Sequence, residues 1–188
     1  MLIVHAGNRI DLANRRRQRF PSTQVPAVRA RVARLLDALQ PSDVVSVAAA
    51  GADLIVLEEA IRREINAHVV LPIAVEQFVA QSVVDAGPEW ATSFGAVLHH
   101  VSTHDGCTVM QGHGDPNDNW YLAAHDQLLR RAEAIAAGRT IVALTIRPPE
   151  EEVPPSVTDE FVSRAERIDM LVLTIDPRPG SSTTVTVL

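Results

Sequence analysis

The residues with the clearest chemical potential fall in two turns. The first is Gly7-Asn8-Arg9, at the end of the apolar run "LIVHAG". The second is "AAAGAD", Ala48 to Asp53, which ends "DVVSVAA" and opens the helical pattern "ADLIVLEEAIRREI". Small residues such as Ala50 and Gly51 let a ligand approach the backbone, and the free amides of a helix start can hold an anion. The competing reading is that Ala48 to Gly51 only permit tight strand–helix packing. Asp53 is then an acid favoured by the positive end of the helix dipole. Neither G-x-x-x-x-G-K-[ST] nor G-x-G-x-x-G is present, so this is not a standard triphosphate or dinucleotide loop.

Between the two turns lie Arg15, Arg16, Arg17 and Arg19. A guanidinium offers planar, paired donors that suit a phosphate, and a run of charge can equally be a solvated loop. Glu58 follows the second turn along the helix. Its carboxylate suits ribose hydroxyls or attack on a glycosidic carbon. It also stands four residues before Arg62, the spacing of a helical ion pair, as Glu59 stands before Arg63. Farther on, "NDNWYLAAHD" brings Asn119, Trp120, Tyr121 and His125 to a helix start. A ring there can stack on a base and Asn119 can reach a ribose or base edge; a helix cap with aromatic packing explains the same residues. His99, His100, His104, Cys107, His113 and Asp115 are of zinc-binding types, but their spacing matches no zinc motif. They read as helix-end and loop residues, with no metal expected.

These residues need elements to position them, and the chain alternates strand and helix patterns. Strands are expected at Leu2 to Gly7, Asp43 to Ala49, Ala67 to Ile73, Thr140 to Ile146 and Met170 to Ile175. A weaker strand pattern lies at Cys107 to Met110, and "TTVTVL" suits an edge strand. Helices are expected at Val25 to Leu39, Ala52 to Ile65, Val75 to Val84, Pro88 to Val101, Asp118 to Gly138 and Thr158 to Ile168, the last with Thr158 as its N-cap. Alternation of this kind predicts an α/β fold: a mostly parallel central sheet of five to seven strands, with helices on both faces. With no repeat and no compositional break, the 188 residues read as one domain. In such sheets ligands bind outside the carboxyl ends of the strands, where the two turns fall.

Composition narrows the function. The net charge of −6 argues against general nucleic-acid binding. It is unevenly spread: residues 1–40 carry +6 and the remainder −12, which allows a local anion site near the start. All 17 basic residues are Arg, in keeping with a GC-rich coding sequence. A single cysteine rules out a disulfide within the chain. No apolar run approaches a membrane span and no signal-peptide pattern opens the chain, so a cytoplasmic location is expected.

Four segments then resemble, in order, a subgroup of the SLOG superfamily. "AGNRIDLANRRRQRFP" resembles its Gly-His-x-Ile-Asp…Arg-Phe-Pro opening, and "AAAGADLIVLEEAI" its Gly-Ala-Asp-Leu-Leu…Glu-Ala segment. "VVLPIAVEQFVAQSV" and "PEWATSF" resemble the segments that follow. SLOG domains are Rossmann-like and related to DprA and the LOG phosphoribohydrolases. The resemblance implies a three-layer Rossmann-like sandwich with a pocket for a nucleotide or nucleotide-derived ligand. It also implies a sensing or signalling role, with a homodimer and an effector protein as partners. By position, that pocket would use Gly7, Asn8, Arg9, Asp11, Arg19, Gly51, Asp53 and Glu58. Two departures matter. The family's histidine is Asn8 here, which hydrogen-bonds but is no proton-transfer base. The LOG motif Pro-Gly-Gly-x-Gly-Thr-x-x-Glu is absent. Binding without turnover is therefore expected, with a nucleotide N-glycosidase using Glu58 as the alternative.

Overall fold

The apolar runs become strands because central parallel strands are buried on both faces and need no polar alternation. In the computed structural model, which describes residues 1–13, 15–109, 120–149, 156–178, 180 and 183–186, these strands form one sheet. They are β1 (Leu2–Gly7), β2 (Asp43–Ser46), β3 (Asn66–Leu71), β4 (Cys107–Val109), β5 (Ile141–Ile146), β6 (Leu171–Ile175) and β7 (Thr183–Thr186). The order across the sheet is β4-β3-β2-β1-β5-β6-β7. The first six are parallel, and β7 adds an antiparallel edge on β6. The helices are α1 (Val25–Leu39), α2 (Ala52–Ile61), α3 (Val75–Ser82), α4 (Pro88–Ser102), α5 (Trp120–Ala136) and α6 (Val157–Glu166). The protein is a three-layer Rossmann-like α/β sandwich.

Strand order explains the layers. From β1 the chain steps outward through β2 and β3 to β4, and α5 then carries it back to β5 on the other side of β1. Right-handed crossovers put helices on opposite faces before and after that reversal. Accordingly α1 and α4 pack on α2, while α6 packs on α5. The apolar stripe of α1 behaves as its spacing predicts: Val28, Val32 and Leu36 are buried and Leu35 and Leu39 partly so. Helix α2 is apolar on nearly every side, because it is wedged between two helices and the sheet. No helix among the described residues is long and apolar enough to cross a membrane.

Among the boundaries that differ from expectation, three have a clear hydrogen-bonding reason. Strand β2 ends at Ser46 rather than Ala49, since the next residues bond elsewhere: Ala50 N–H donates to Ser82 O, and Ala50 O accepts from Ile10 N–H, both at 2.9 Å. Helix α2 stops at Ile61 rather than Ile65. Glu64 takes a left-handed conformation (φ 58°), and Ile65 N–H turns back to Ala60 O. Thr158 is not the cap of α6. Ser156 is, in a capping box whose other half is Asp159 at the third helical position.

Two glycines let the loops after β1 and β2 touch. Gly51 has φ 120°, and a Cβ there would lie 2.4 Å from Ile10 N. A Cβ on Gly7 would lie 2.3 Å from Ala52 Cβ. Gly51→Ala should therefore destabilise the fold by about 2–4 kcal/mol. Gly95 is exposed on α4 with nothing near its absent Cβ. Gly95→Ala should stabilise by about 0.5–1 kcal/mol. Urea denaturation of the two variants measures both; equal stabilities would refute the packing argument.

Candidate functional site

The sheet reverses direction of growth between β1 and β5, and ligands of open α/β sheets bind outside the strand ends at such a point. A cavity of about 360 Å³ opens there. One wall is backbone and small side chains: Ala6 and Gly7 from β1, then Val47 and Ala49 from the turn after β2. Asn8, Arg9, Arg15 and Arg19 come from the first loop, Asp53 from α2, His125 from α5, and Ser156, Val157 and Thr158 from the start of α6.

The floor is a buried polar clasp. Asp53 stands in the first turn of α2 and accepts Gly7 N–H on Oδ1 (3.1 Å) and Ala49 N–H on Oδ2 (3.3 Å). Its carboxylate thus joins the ends of β1 and β2. Beside it, fully buried His5 places Nε2 3.4 Å from Asp53 Oδ1. The other ring nitrogen, Nδ1, lies 2.9 Å from Leu144 O. A carbonyl only accepts, so Nδ1 donates to it. Asn8 completes the junction: its N–H donates to Ile146 O, its carbonyl accepts Ala52 N–H, and its Oδ1 accepts the Thr158 hydroxyl at 3.1 Å. With Oδ1 taken, Asn8 has its amide donors to offer a ligand.

The mouth is basic. Asp11 closes the arginine loop at its neck, accepting the amides of Arg19 and Phe20 on Oδ2 at 2.8 Å each. Burial pushes its carboxyl up, against the lowering pull of those amides and of Arg15. Arg15 Nε sits 3.4 Å from Asp11 Oδ1. Burial and the neighbouring Arg15 charge both lower the hold of Arg19 on its proton. Two like charges are thus brought together where the first amides of α6, Val157 and Thr158, have no intrahelical acceptor. Asp159, the acid nearest that helix start, is engaged by Ser156 and Arg147.

His125 is the polar group in the cavity that the sheet does not use. It is 4% exposed, its ring meets Phe161 edge-on at 5.4 Å, and its Nδ1 has no partner. Burial pushes its pKa down to about 4, with Asp53 pulling up and Arg164 pushing down, so the ring is neutral near pH 7.

The expected site residues divide into groups. Gly7, Asn8, Arg9, Arg19 and Asp53 line the cavity. The Arg9 guanidinium, however, is engaged by Asp85 and by Gln81 O. Ala50 and Gly51 serve the loop junction, and the amides of Ala49, Ala50 and Ala52 are bonded to Asp53, Ser82 and Asn8. Asp11 shapes the mouth from its neck. Glu58 stands apart from the cavity lining: it pairs with Arg29 at 2.6 Å and Arg62 at 3.8 Å. Glu59 is held by Arg29, Arg62 and Arg63. Burial works to raise the Glu59 carboxyl, but these partners keep it below the usual range. Asn119 lies outside the described residues, as do His113 and Asp115. Tyr121 falls in the first turn of α5 and its side chain is likewise outside the description. Among the described residues no three His, Cys, Asp or Glu side chains gather as a metal site.

Sequence reasoning missed Ser156 to Thr158 and gave His125 no place in the pocket. The first had a signal, Ser-x-x-Asp directly after a strand's loop. The second depends on where α5 crosses, which local pattern does not encode. Fold and cavity together define a Rossmann-like domain with a ligand-sized, basic-mouthed crevice at its switch point. No protein-family model matches the chain, and no curated protein matches it.

The neutral state of His125 makes stability pH-dependent. An unfolded histidine titrates near 6.5. The unfolded chain therefore takes up this proton first as pH falls, and stability drops from pH ~6.5 down to ~4. The full loss from this group is about 3 kcal/mol. Urea denaturation at pH 7 and 4.5 should show a smaller pH loss in His125→Phe than in wild type. Equal losses would refute the assignment.

Proposed function

We propose that this domain binds a nucleotide or nucleotide-derived small molecule in the switch-point cavity without turning it over, as a sensing or signalling domain of the SLOG kind. The observation that carries this is the meeting of Arg15, Arg19 and the start of α6 on one cavity of ligand size. Guanidinium groups and helix-start amides are complementary to phosphate oxygens. The volume lies within the range of small-molecule sites, and apolar Val47, Ala49 and Val157 give a ring or sugar surfaces to pack on.

The reading puts the phosphate at α6 and the arginine loop rather than at the turn after β2, whose Ala49, Ala50 and Ala52 amides already have acceptors. Binding without turnover accords with two features. The carboxylate in the cavity, Asp53, is committed to two backbone amides. Glu58, the expected alternative nucleophile, is held in ion pairs with Arg29 and Arg62.

Thermal shift against mono-, di- and cyclic nucleotides tests the reading. A binder at 100 times its Kd should add about 2.7 kcal/mol of stability. Arg19→Ala should abolish most of that shift, whereas Glu58→Gln should leave it intact. No shift with any nucleotide, or a shift lost in Glu58→Gln but kept in Arg19→Ala, would overturn the reading.

A further inference from the structure

A helix start alone does not define a site, but here a second polar group stands against it. Asn8 follows β1 directly, is 6% exposed and lines the cavity. Its backbone is fixed on both sides: the N–H donates to Ile146 O, and the carbonyl accepts Ala52 N–H. Its side chain is fixed by α6. Oδ1 accepts the hydroxyl of Thr158, the second residue of that helix, at 3.1 Å. The remaining group, Nδ2, has no partner among the described residues. Unlike His125 Nδ1 and His5 Nε2, which are closed off, it keeps accessible surface. A polar group in so buried a residue is normally satisfied, and an exception asks for a reason.

A carboxamide donates on one side and accepts on the other, so its orientation decides what it reads. Thr158 sets that orientation. Its hydroxyl belongs to a residue only 2% exposed and makes no other hydrogen bond among the described residues. With the amide turned over, that buried proton would lose its acceptor, which is unfavourable. Asn8 therefore presents N–H groups to the cavity. They stand beside the Val157 and Thr158 amides, which have no intrahelical acceptor. We propose that Asn8 Nδ2 donates to an oxygen of the ligand's phosphate, seated on the first amides of α6, and that Thr158 positions Asn8 for this. The inference rests on the reading of the cavity as a nucleotide site and identifies the side chain that recognises the phosphate. A phosphate so held bridges the loop after β1 and the start of α6.

Calorimetry with AMP, adenosine and inorganic phosphate tests this on the full chain. Asn8→Leu should weaken AMP and phosphate about 10- to 100-fold, the size of one lost hydrogen bond to a charged group, and leave adenosine unchanged. Asn8→Asp keeps the size of the residue and an acceptor for Thr158, so it guards against a folding defect. It should weaken AMP and phosphate further, because it sets a like charge beside the anion. Thr158→Val should weaken both by less than Asn8→Leu does, and Thr158→Ser should restore them. In the Asn8→Leu background Thr158→Val should cost nothing more, since its effect runs through Asn8. The inference is overturned if both Asn8 variants bind AMP and phosphate as wild type does, or if Asn8→Leu weakens adenosine as much as AMP. The role of Thr158 is overturned if its penalty persists in full without Asn8. Wild type that binds inorganic phosphate but not AMP, with phosphate lost in the Asn8 variants, would uphold the anion contact and remove the nucleotide reading. Wild type that binds neither would remove both.

Discussion

The Asp53 carboxylate is the tie on which the crevice depends. It sits in the first turn of α2, where the helix dipole favours a negative charge. From there it holds one amide from the end of β1 and one from the turn after β2. Each amide would otherwise be a buried donor in search of an acceptor, and leaving one unmade costs about 1–3 kcal/mol. Because the carboxylate satisfies both, two loops that belong to neighbouring strands behave as one surface. Gly7 and Gly51 make the approach sterically possible, and Asn8 extends it to β5 and α6. Five elements are thereby held to one another around a void.

Charge is partitioned by the same architecture. The acids and arginines of α1 and α2 neutralise one another: Arg29, Arg62 and Arg63 engage Glu58, Glu59 and Asp37. That network staples the two helices together on their solvent side. Arg15 and Arg19 are handled differently. Asp11 fixes the neck of their loop through backbone amides, and both residues line the cavity. An acidic protein thus keeps a local cationic mouth. The arginines of the first 40 residues thus supply both a helix seam, through Arg29, and the crevice, through Arg15 and Arg19.

Much of the architecture was legible because strand and helix periods are local. Helix α1 was bounded correctly from its apolar spacing, and the reach of β1 from six residues ending in glycine. The location of the crevice also followed, since Gly7 and the Ala48–Asp53 turn end adjacent strands. The role of that turn did not follow. Small residues look the same whether a ligand or another loop approaches them, and here the other loop does. Glu58 misleads for a similar reason. Its ion pair with Arg62 is written in an i,i+4 spacing, but its stronger partner Arg29 belongs to another helix.

By itself the sequence determined the elements, their alternation and the two loops that flank the switch point, because each rests on contacts between residues near in the chain. The tertiary structure alone decided which side chains share the cavity. His125 arrives there because α5 crosses back over β1 to reach β5, and Thr158 because α6 starts at the end of that strand. Both lie more than a hundred residues from Asn8, beside which they line the same void. Only the folding of the sheet brings them within reach of it.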